Sequence, residues 1–257
     1  MESGSTTANT ISKILYVIVL AEESSAILEK EHFQKEETLS KEYSNILEAF
    51  VHIKEGKEIY VIRPIDDPLH STSLFGTEIS FFITYMGIKL FNPDLVISMG
   101  YAGEVFCNSS TPLGQGSVVI ANDHSIYHRR EMIVKFYEKT SSGLYPLHSC
   151  QNLVSHLGFQ SCKVGTSNCF VRHDHVAGKK GVRVVEMELC SVARACFYFK
   201  KPCIGVKIIS DGGPHEDLSE EDRVKQFLDS LPLLKEKFNE TYTTVNEYLF
   251  GKSLDQL

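Results

Sequence analysis

Three acidic residues in this sequence stand where an apolar run hands over to a helix or a turn, and carboxylates placed there can do acid–base work. Val184 and Val185 lead into Glu186-Met187-Glu188, a helical stretch continues to Phe199, and Lys201-Pro202 ends it. The apolar run Cys203 to Ile209 then delivers Ser210-Asp211 to a Gly212-Gly213-Pro214 turn. A third acid, Glu23, follows the apolar run Ile14 to Leu20 within Ala21-Glu22-Glu23. In open α/β sheets ligands bind outside the carboxyl ends of the strands, so Glu188 and Asp211 are expected to face one pocket. Two carboxylates at one mouth can divide the work of holding a substrate and protonating a leaving group. The competing reading is electrostatic: Glu22, Glu23, Glu186 and Glu188 as first-turn residues that favour a helix N-terminus.

The elements that must position these acids follow from the hydrophobic pattern. Ile14 to Leu20, Leu95 to Met99 and Cys203 to Ile209 read as buried strands, because near-continuous apolar runs mark strands covered on both faces. Leu95 to Met99 ends in Gly100-Tyr101-Ala102-Gly103, where small residues let a ligand approach the backbone. Between Ile46 and Ile62 a β pattern broken at Lys54-Glu55-Gly56-Lys57 predicts a hairpin. Ser73 to Phe91 carries Phe75, Ile79, Phe82, Ile83, Met86 and Leu90 at helical spacing and stops at Asn92-Pro93-Asp94. Val118 to Ala121 is a further strand, and Asp123 to Leu147, rich in His, Tyr and charge, reads as a long functional or interface loop. The segment from Ser219 through Phe227, Leu231, Leu234 and Phe238 to about Leu249 predicts an amphipathic helix with an approximate capping pattern at its start. The expected fold is a three-layer α/β/α sandwich around a central mixed, partly closed sheet, with residues 1–12 as a flexible N-terminus and 13–257 as a single domain.

Composition narrows the function. A chain of 257 residues with 42% apolar residues can bury a sizeable core. Its net charge of -7 argues against nucleic acid as a partner, since such binding needs clustered Lys and Arg. Seven cysteines without C-x-x-C or zinc spacing predict neither a disulfide framework nor a metal site, and read as small apolar residues of a reduced compartment. No stretch reaches the roughly 18 apolar residues of a membrane span, and Met1 to Asn9 lacks the form of a signal peptide. A cytoplasmic protein without cofactor or membrane partner is the expectation. The sequons at Asn108 and Asn239 read as chance. His124, His128, His173 and His175 are expected at the surface.

Three blocks in order resemble the nucleoside phosphorylase and nucleosidase superfamily, and within it the plant-type 5'-methylthioadenosine nucleosidases. They are Val17 to Glu23, Pro93-Asp94-Leu95-Val96-Ile97-Ser98-Met99-Gly100-Tyr101-Ala102-Gly103, and Val185-Glu186-Met187-Glu188 followed by Ile208-Ile209-Ser210-Asp211. The tail Phe250-Gly251-Lys252-Ser253-Leu254-Asp255-Gln256-Leu257 is similar as well. The resemblance implies cleavage of an N-glycosidic bond through an oxocarbenium-like ribosyl cation. Asp211 is then the acid for N7 of adenine and Glu23 the base that activates water. Glu188 grips the ribose hydroxyls, and Ala102, Gly103, Cys169, Glu186, Met187 and Ser210 complete the substrate contacts. It also implies an adenine nucleoside as small-molecule partner and a homodimer whose neighbouring subunit completes the 5' pocket; the aromatic segment from Phe136-Tyr137 to Tyr145-Pro146 is hard to bury within one domain. The Gly-Asp-Pro-x-Arg loop of the bacterial-type phosphorylases is missing after the first strand, and a carboxylate there repels phosphate and suits water.

Several positions depart from the pattern. Tyr101 stands where Ser or Thr is usual and Glu104 where a second Gly is, which predicts a narrower, more negative turn beside the base. Thr166 loses an acid, Asn168 loses the apolar face that packs on adenine, and Leu189-Cys190 replaces a Gly or Ala pair. Two alternatives therefore stand beside the hydrolase: a catalytically weak nucleoside-binding or storage protein on the same fold, and a divergent nucleoside phosphorylase.

Overall fold

A computed structural model describes residues 10–105, 111–130, 132, 134–169, 180–211 and 219–257. In chain order these form β1 (Lys13–Val17), α1 (Ala21–Leu28), β2 (Gln34–Lys35), α2 (Glu37–Glu42), β3 (Leu47–Lys54), β4 (Lys57–Pro64), β5 (Asp66–Asp67), β6 (Thr72–Ser73) and α3 (Thr77–Phe91). There follow β7 (Leu95–Glu104), β8 (Val118–Ala121), β9 (His124–Tyr127), α4 (Lys135–Ser142), β10 (Tyr145–Pro146), α5 (Gln151–Leu157), β11 (Gln160–Cys162) and β12 (Val164–Thr166). The chain closes with β13 (Val184–Glu186), α6 (Leu189–Phe199), β14 (Cys203–Asp211), α7 (Glu220–Leu249) and a short 3-10 turn at Leu254–Gln256.

The strands that read as apolar runs are buried on both faces, and their side chains alternate between two cores. Leu15 and Val17 of β1 join Ile83 and Met86 of α3 and Val192 and Cys196 of α6. Ile14 and Tyr16 of the same strand join Ile27 of α1, Leu153 of α5 and Leu234, Phe238 and Val245 of α7. The same alternation on β14 sends Cys203 and Ile209 to the first core and Ile204, Val206 and Ile208 to the second. One mixed sheet of twelve strands thus lies between two helical layers, as the pattern predicts, and it is not fully closed.

The sheet forks at β7, and the fork makes the site. Along its first part β7 pairs in parallel with β1 on one side and β14 on the other. At its far end β13 takes the place of β1: Gly103 and Glu104 pair antiparallel with Val185 and Val184, while Gly103 stays opposite Asp211 of β14. β14 carries an irregularity between Ile209 and Asp211 where the register slips, and such bulges re-aim a side chain at the end of a strand. The carboxyl ends of β1, β7, β13 and β14 therefore converge on one small volume.

Some expectations change in detail. The hairpin forms as β3 and β4, its turn made by Glu55 and Gly56 at φ 52° and 75°. α3 starts at Thr77 rather than Ser73, because Gly76 at φ 95° turns the chain into the helix. The stretch 123–147 is no plain loop: it contains β9, α4 and β10, with β9 inside the sheet against β12. α7 is capped by Ser219, whose hydroxyl accepts the Asp222 N–H at 3.1 Å. Thr10 bridges Ser253 and the Ile11 N–H donates to the Lys252 carbonyl, which ties the tail to the start of β1. Residues 1–9, the Asn108 sequon, the turn at 212–214, His173 and His175 lie outside the described residues.

Candidate active site

Lys207 organises the floor of the site. It sits in β14, inside a run otherwise made of apolar residues, and its side chain is 1% exposed. Its Nζ lies 2.9 Å from Glu186 Oε2 and 3.4 Å from Ser98 Oγ of β7. Burial works against its charge, but Glu186, Glu188 and Glu23 outweigh this and raise the pKa of the ammonium. A lysine in the middle of a buried strand is the signal by which sequence reading could have found it, because a fully buried Lys needs a partner.

Glu186, at the end of β13, is saturated. Its Oε2 also accepts the N–H groups of Glu188 at 3.0 Å and Leu189 at 2.8 Å, which caps α6, while its Oε1 accepts the Thr166 hydroxyl. Thr166 in turn accepts the Cys190 N–H at 2.9 Å. This carboxylate therefore serves the helix start and the buried cation at once. Glu188, two residues on, reaches only its neighbour's Met187 N–H at 3.2 Å among the described residues. Burial and the charge of Glu186 push the Glu188 carboxyl up to about 8, against the pull of Lys207. One ammonium among three carboxylates keeps a proton in the cluster near neutral pH, and donated hydroxyls at Glu188 would favour its charged form. Without such donors Glu188 is held toward its neutral form.

Glu23 lies in the first turn of α1, 4% exposed. Its Oε1 accepts the Tyr101 N–H at 2.6 Å and its Oε2 the Leu20 N–H at 3.3 Å, so it joins the start of α1 to the end of β7. The helix-start reading of this residue is realised. Burial raises the carboxyl to about 7, opposed by the Tyr101 N–H and by Lys207. Gly100 admits it: a Cβ there would stand 3.1 Å from Glu23 Oε1.

Asp211 ends β14 and is exposed. A Cβ on Gly103 would stand 3.0 Å from its Oδ1, so the two glycines of β7 are the two points of the strand end where acids press in, Glu23 at Gly100 and Asp211 at Gly103. Ser210 Oγ donates to Asp211 Oδ1 at 3.0 Å and lies 3.3 Å from the Ala102 carbonyl, which links three residues singled out from sequence. Met187 is half-buried beside Glu188, and Cys169 is exposed, its carbonyl accepting the Ser167 hydroxyl at 3.0 Å.

The departing residues have specific fates. The Tyr101 ring turns away to meet Phe238 of α7 edge-on, with centroids 5.7 Å apart. Glu104 does not make the turn more negative: its side chain is 3% exposed and faces Arg183 at 3.4 Å. Asn168 leaves the base wall to cap α3, its Oδ1 accepting the Thr77 N–H at 2.8 Å and its amide donating to Glu78 at 2.9 Å. His128 corrects the surface expectation. It is fully buried, because the sheet continues past β9 and its N–H donates to the Thr166 carbonyl at 3.2 Å, while His124 is exposed. Among the described residues no group of three His, Cys, Asp or Glu side chains could hold a metal ion.

The chain resembles known proteins in sequence and in fold. The profile of a family described as the phosphorylase superfamily matches residues 77–239. A 5'-methylthioadenosine/S-adenosylhomocysteine nucleosidase from Arabidopsis thaliana is 25% identical over 255 residues, which cover 96% of this chain and 95% of that protein. The apo structure of Arabidopsis thaliana 5'-methylthioadenosine nucleosidase superposes with a TM-score of 0.87 at 20% identity, over 97% of this chain and all of that one. A nucleosidase of this kind from Colwellia psychrerythraea, solved in complex with adenine, superposes with a TM-score of 0.69 at 17% identity over 95% of this chain and 99% of that one.

Proposed function

The chain belongs to the phosphorylase superfamily, and from that premise we propose that it hydrolyses the N-glycosidic bond of 5'-methylthioadenosine or a related adenine nucleoside. The observation that carries the reading is the pairing of acids at one strand end: Glu23 against Gly100, Asp211 against Gly103, and Glu188 beside them around the buried Lys207. Glu23, with a carboxyl near 7, accepts a proton from water as the oxygen attacks the anomeric carbon. The bond to adenine breaks with its electron pair passing to the base, and Asp211 supplies the proton that N7 takes up. Glu188 accepts hydrogen bonds from the ribose hydroxyls. Glu186 acts from behind, holding Met187 and Glu188 in place through α6 and Lys207. Ala102, Gly103, Cys169 and Ser210 line the base side. The nucleosidase names of the relatives and the adenine in the Colwellia complex support this substrate class.

Water rather than phosphate is favoured by charge. The ammonium of Lys207 is already engaged by Glu186, and Glu23 presents a further acid where an anion would have to enter. The working unit is a homodimer of a single domain spanning 13–257. Its support is the aromatic face built by α3, α6 and β10, where Tyr85, Phe197 and Tyr198 are exposed and Tyr145 meets both Phe197 and Tyr198. Exposed apolar patches of this kind mark association surfaces. A cytoplasmic site of action accords with the buried free thiols of Cys150, Cys162, Cys190, Cys196 and Cys203. No helix among the described residues is long and apolar enough to cross a membrane. The test is to incubate the protein with a panel of adenine nucleosides, with and without phosphate, and measure free adenine. Phosphate-independent release is expected. No release, or release only with phosphate, overturns the proposal.

A further inference from the structure

We propose that the Glu104–Arg183 ion pair, its carboxylate buried and its guanidinium half-buried, is a positioning device for Asp211, acting through the turn at 113–117; the role rests on the acid function proposed above. Each link is a contact. Glu104, the last residue of β7, accepts the Leu113 N–H on Oε2 at 2.8 Å while its Oε1 faces Arg183 at 3.4 Å. Arg183 also donates to the Thr111 carbonyl, and its own backbone bridges β7 to the sheet: its carbonyl accepts the Val105 N–H at 2.8 Å and its N–H donates to Lys163 at 3.0 Å. The pair thereby fastens residues 111–113 to the end of β7.

From there the chain turns tightly. Gly114 and Gly116 hold φ of 77° and 80°, the Ser117 N–H closes on the Gly114 carbonyl at 3.2 Å, and the Ser117 hydroxyl donates to the Leu113 carbonyl. This turn grips the end of β14 at three points. Gln115 Nε2 donates to the Ser210 carbonyl at 2.6 Å, the Gly116 N–H to the Ile209 carbonyl at 2.8 Å, and the Ile209 N–H to the Ser117 carbonyl at 2.9 Å. Ser210 and Ile209 are the residues before Asp211, at the place where the β14 register slips. The irregularity falls at Ser210, just before Asp211 rejoins the β7 ladder opposite Gly103, and the anchored turn constrains that bulge from the other side. A proton donor displaced by about 1 Å can lose roughly 10²-fold in rate, so such a constraint is worth building.

The experiment pairs two readouts on the full chain. Glu104→Gln keeps an acceptor for Leu113 and removes the charge; Arg183→Lys keeps the charge and loses the planar fork that reaches Thr111. Hydrogen exchange should quicken in segments 113–117 and 208–211 of either variant and stay unchanged in β1. With a parent that releases adenine, kcat should fall by roughly 10- to 100-fold while KM changes by less than about threefold, since a misplaced acid is missed only in the transition state. The double variant should be no worse than the poorer single one. Unchanged exchange in 208–211 overturns the proposal whether or not the parent is active. Faster exchange with an unchanged kcat reduces the pair to a structural clasp and overturns it too. A parent that releases no base defeats the proposed function instead, and the positioning claim is then judged on exchange alone. If Glu104→Gln fails to fold, Arg183→Lys carries both measurements.

Discussion

Around Lys207 the acids are held by main-chain donors from strand ends and first helical turns and by a buried cation in mid-strand; around Asp211 and Asn168 the backbone is held by side chains reaching across long sequence distances. Glu186 takes the N–H groups of Glu188 and Leu189, and Glu23 those of Leu20 and Tyr101. On the outer side Asn168 holds Thr77, 91 residues away, and Gln115 holds Ser210, 95 residues away. The inner half stands on secondary structure and cannot shift without unfolding it. The outer half stands on contacts that can be exchanged singly; Asn168 and Glu104 depart there from the pattern this chain resembles, while Tyr101, Thr166 and Leu189-Cys190 depart from it in the inner half.

The inner half should break most severely. Lys207→Met removes the one cation from a cluster of buried acids and leaves Glu186 unpaired. A loss of about 3–5 kcal/mol in urea unfolding is expected, with Glu23 and Glu188 driven further toward their neutral forms. A Lys207→Met protein as stable as its parent would show that the ion pair does not organise this half.

Next in size are the acids themselves. Asp211→Asn keeps a hydrogen-bonding side chain but cannot supply the proton, so turnover should fall by roughly 10² or more while binding survives in part. Glu188→Gln should instead raise KM and lower kcat together. Steady-state kinetics on the best nucleoside of the panel separates the two, and equal cleavage by Asp211→Asn removes that residue from its role.

The pH dependence sharpens the comparison from the inner side. Glu23 must be ionised to act, and its carboxyl is raised to about 7, so turnover should rise with pH and level off above about 7. Stability should run the other way. The folded state holds a proton on Glu23 that the unfolded state has already lost between the ordinary 4.5 and about 7, so stability falls with rising pH across that window, and Glu188, raised to about 8, extends the fall to about 8. Glu23→Gln should make the decline of the melting temperature across that window shallower while abolishing turnover. An unaltered decline would mean that Glu23 is not the titrating group.

The inner half could be read from sequence because its determinants are local: an apolar run, a small residue, then an acid. Glu23 and Glu188 stand just beyond such runs, Asp211 of the outer half does the same, and the layers follow from the runs around them. Lys207 is hidden inside one of those runs, since a pattern that counts apolar residues passes over the polar one whose partners lie on other strands. His128 and the elements within 123–147 were misjudged for a related reason. Polar composition suggested a loop, while tertiary pairing of β9 with β12 made a buried strand. Glu104 looked like a charge added to the pocket because its partner Arg183 is 79 residues away.

The smallest effect expected lies at Asn168, where the outer half exchanged one use of a position for another. Its Oδ1 caps α3 in place of Gly76, which has no side chain to do so, and its amide pins Glu78. Asn168→Ala should cost about 1 kcal/mol, the usual worth of a helix cap, measured by urea unfolding, with turnover nearly unchanged. Asn168→Phe loses the same cap but offers the base an aromatic face, and stacking of that kind is worth about 1–3 kcal/mol per base. It should therefore be less stable and yet show a lower KM for adenine nucleosides. A stability loss without any change in KM would mean that residue 168 does not face the base, and that the outer wall is formed elsewhere.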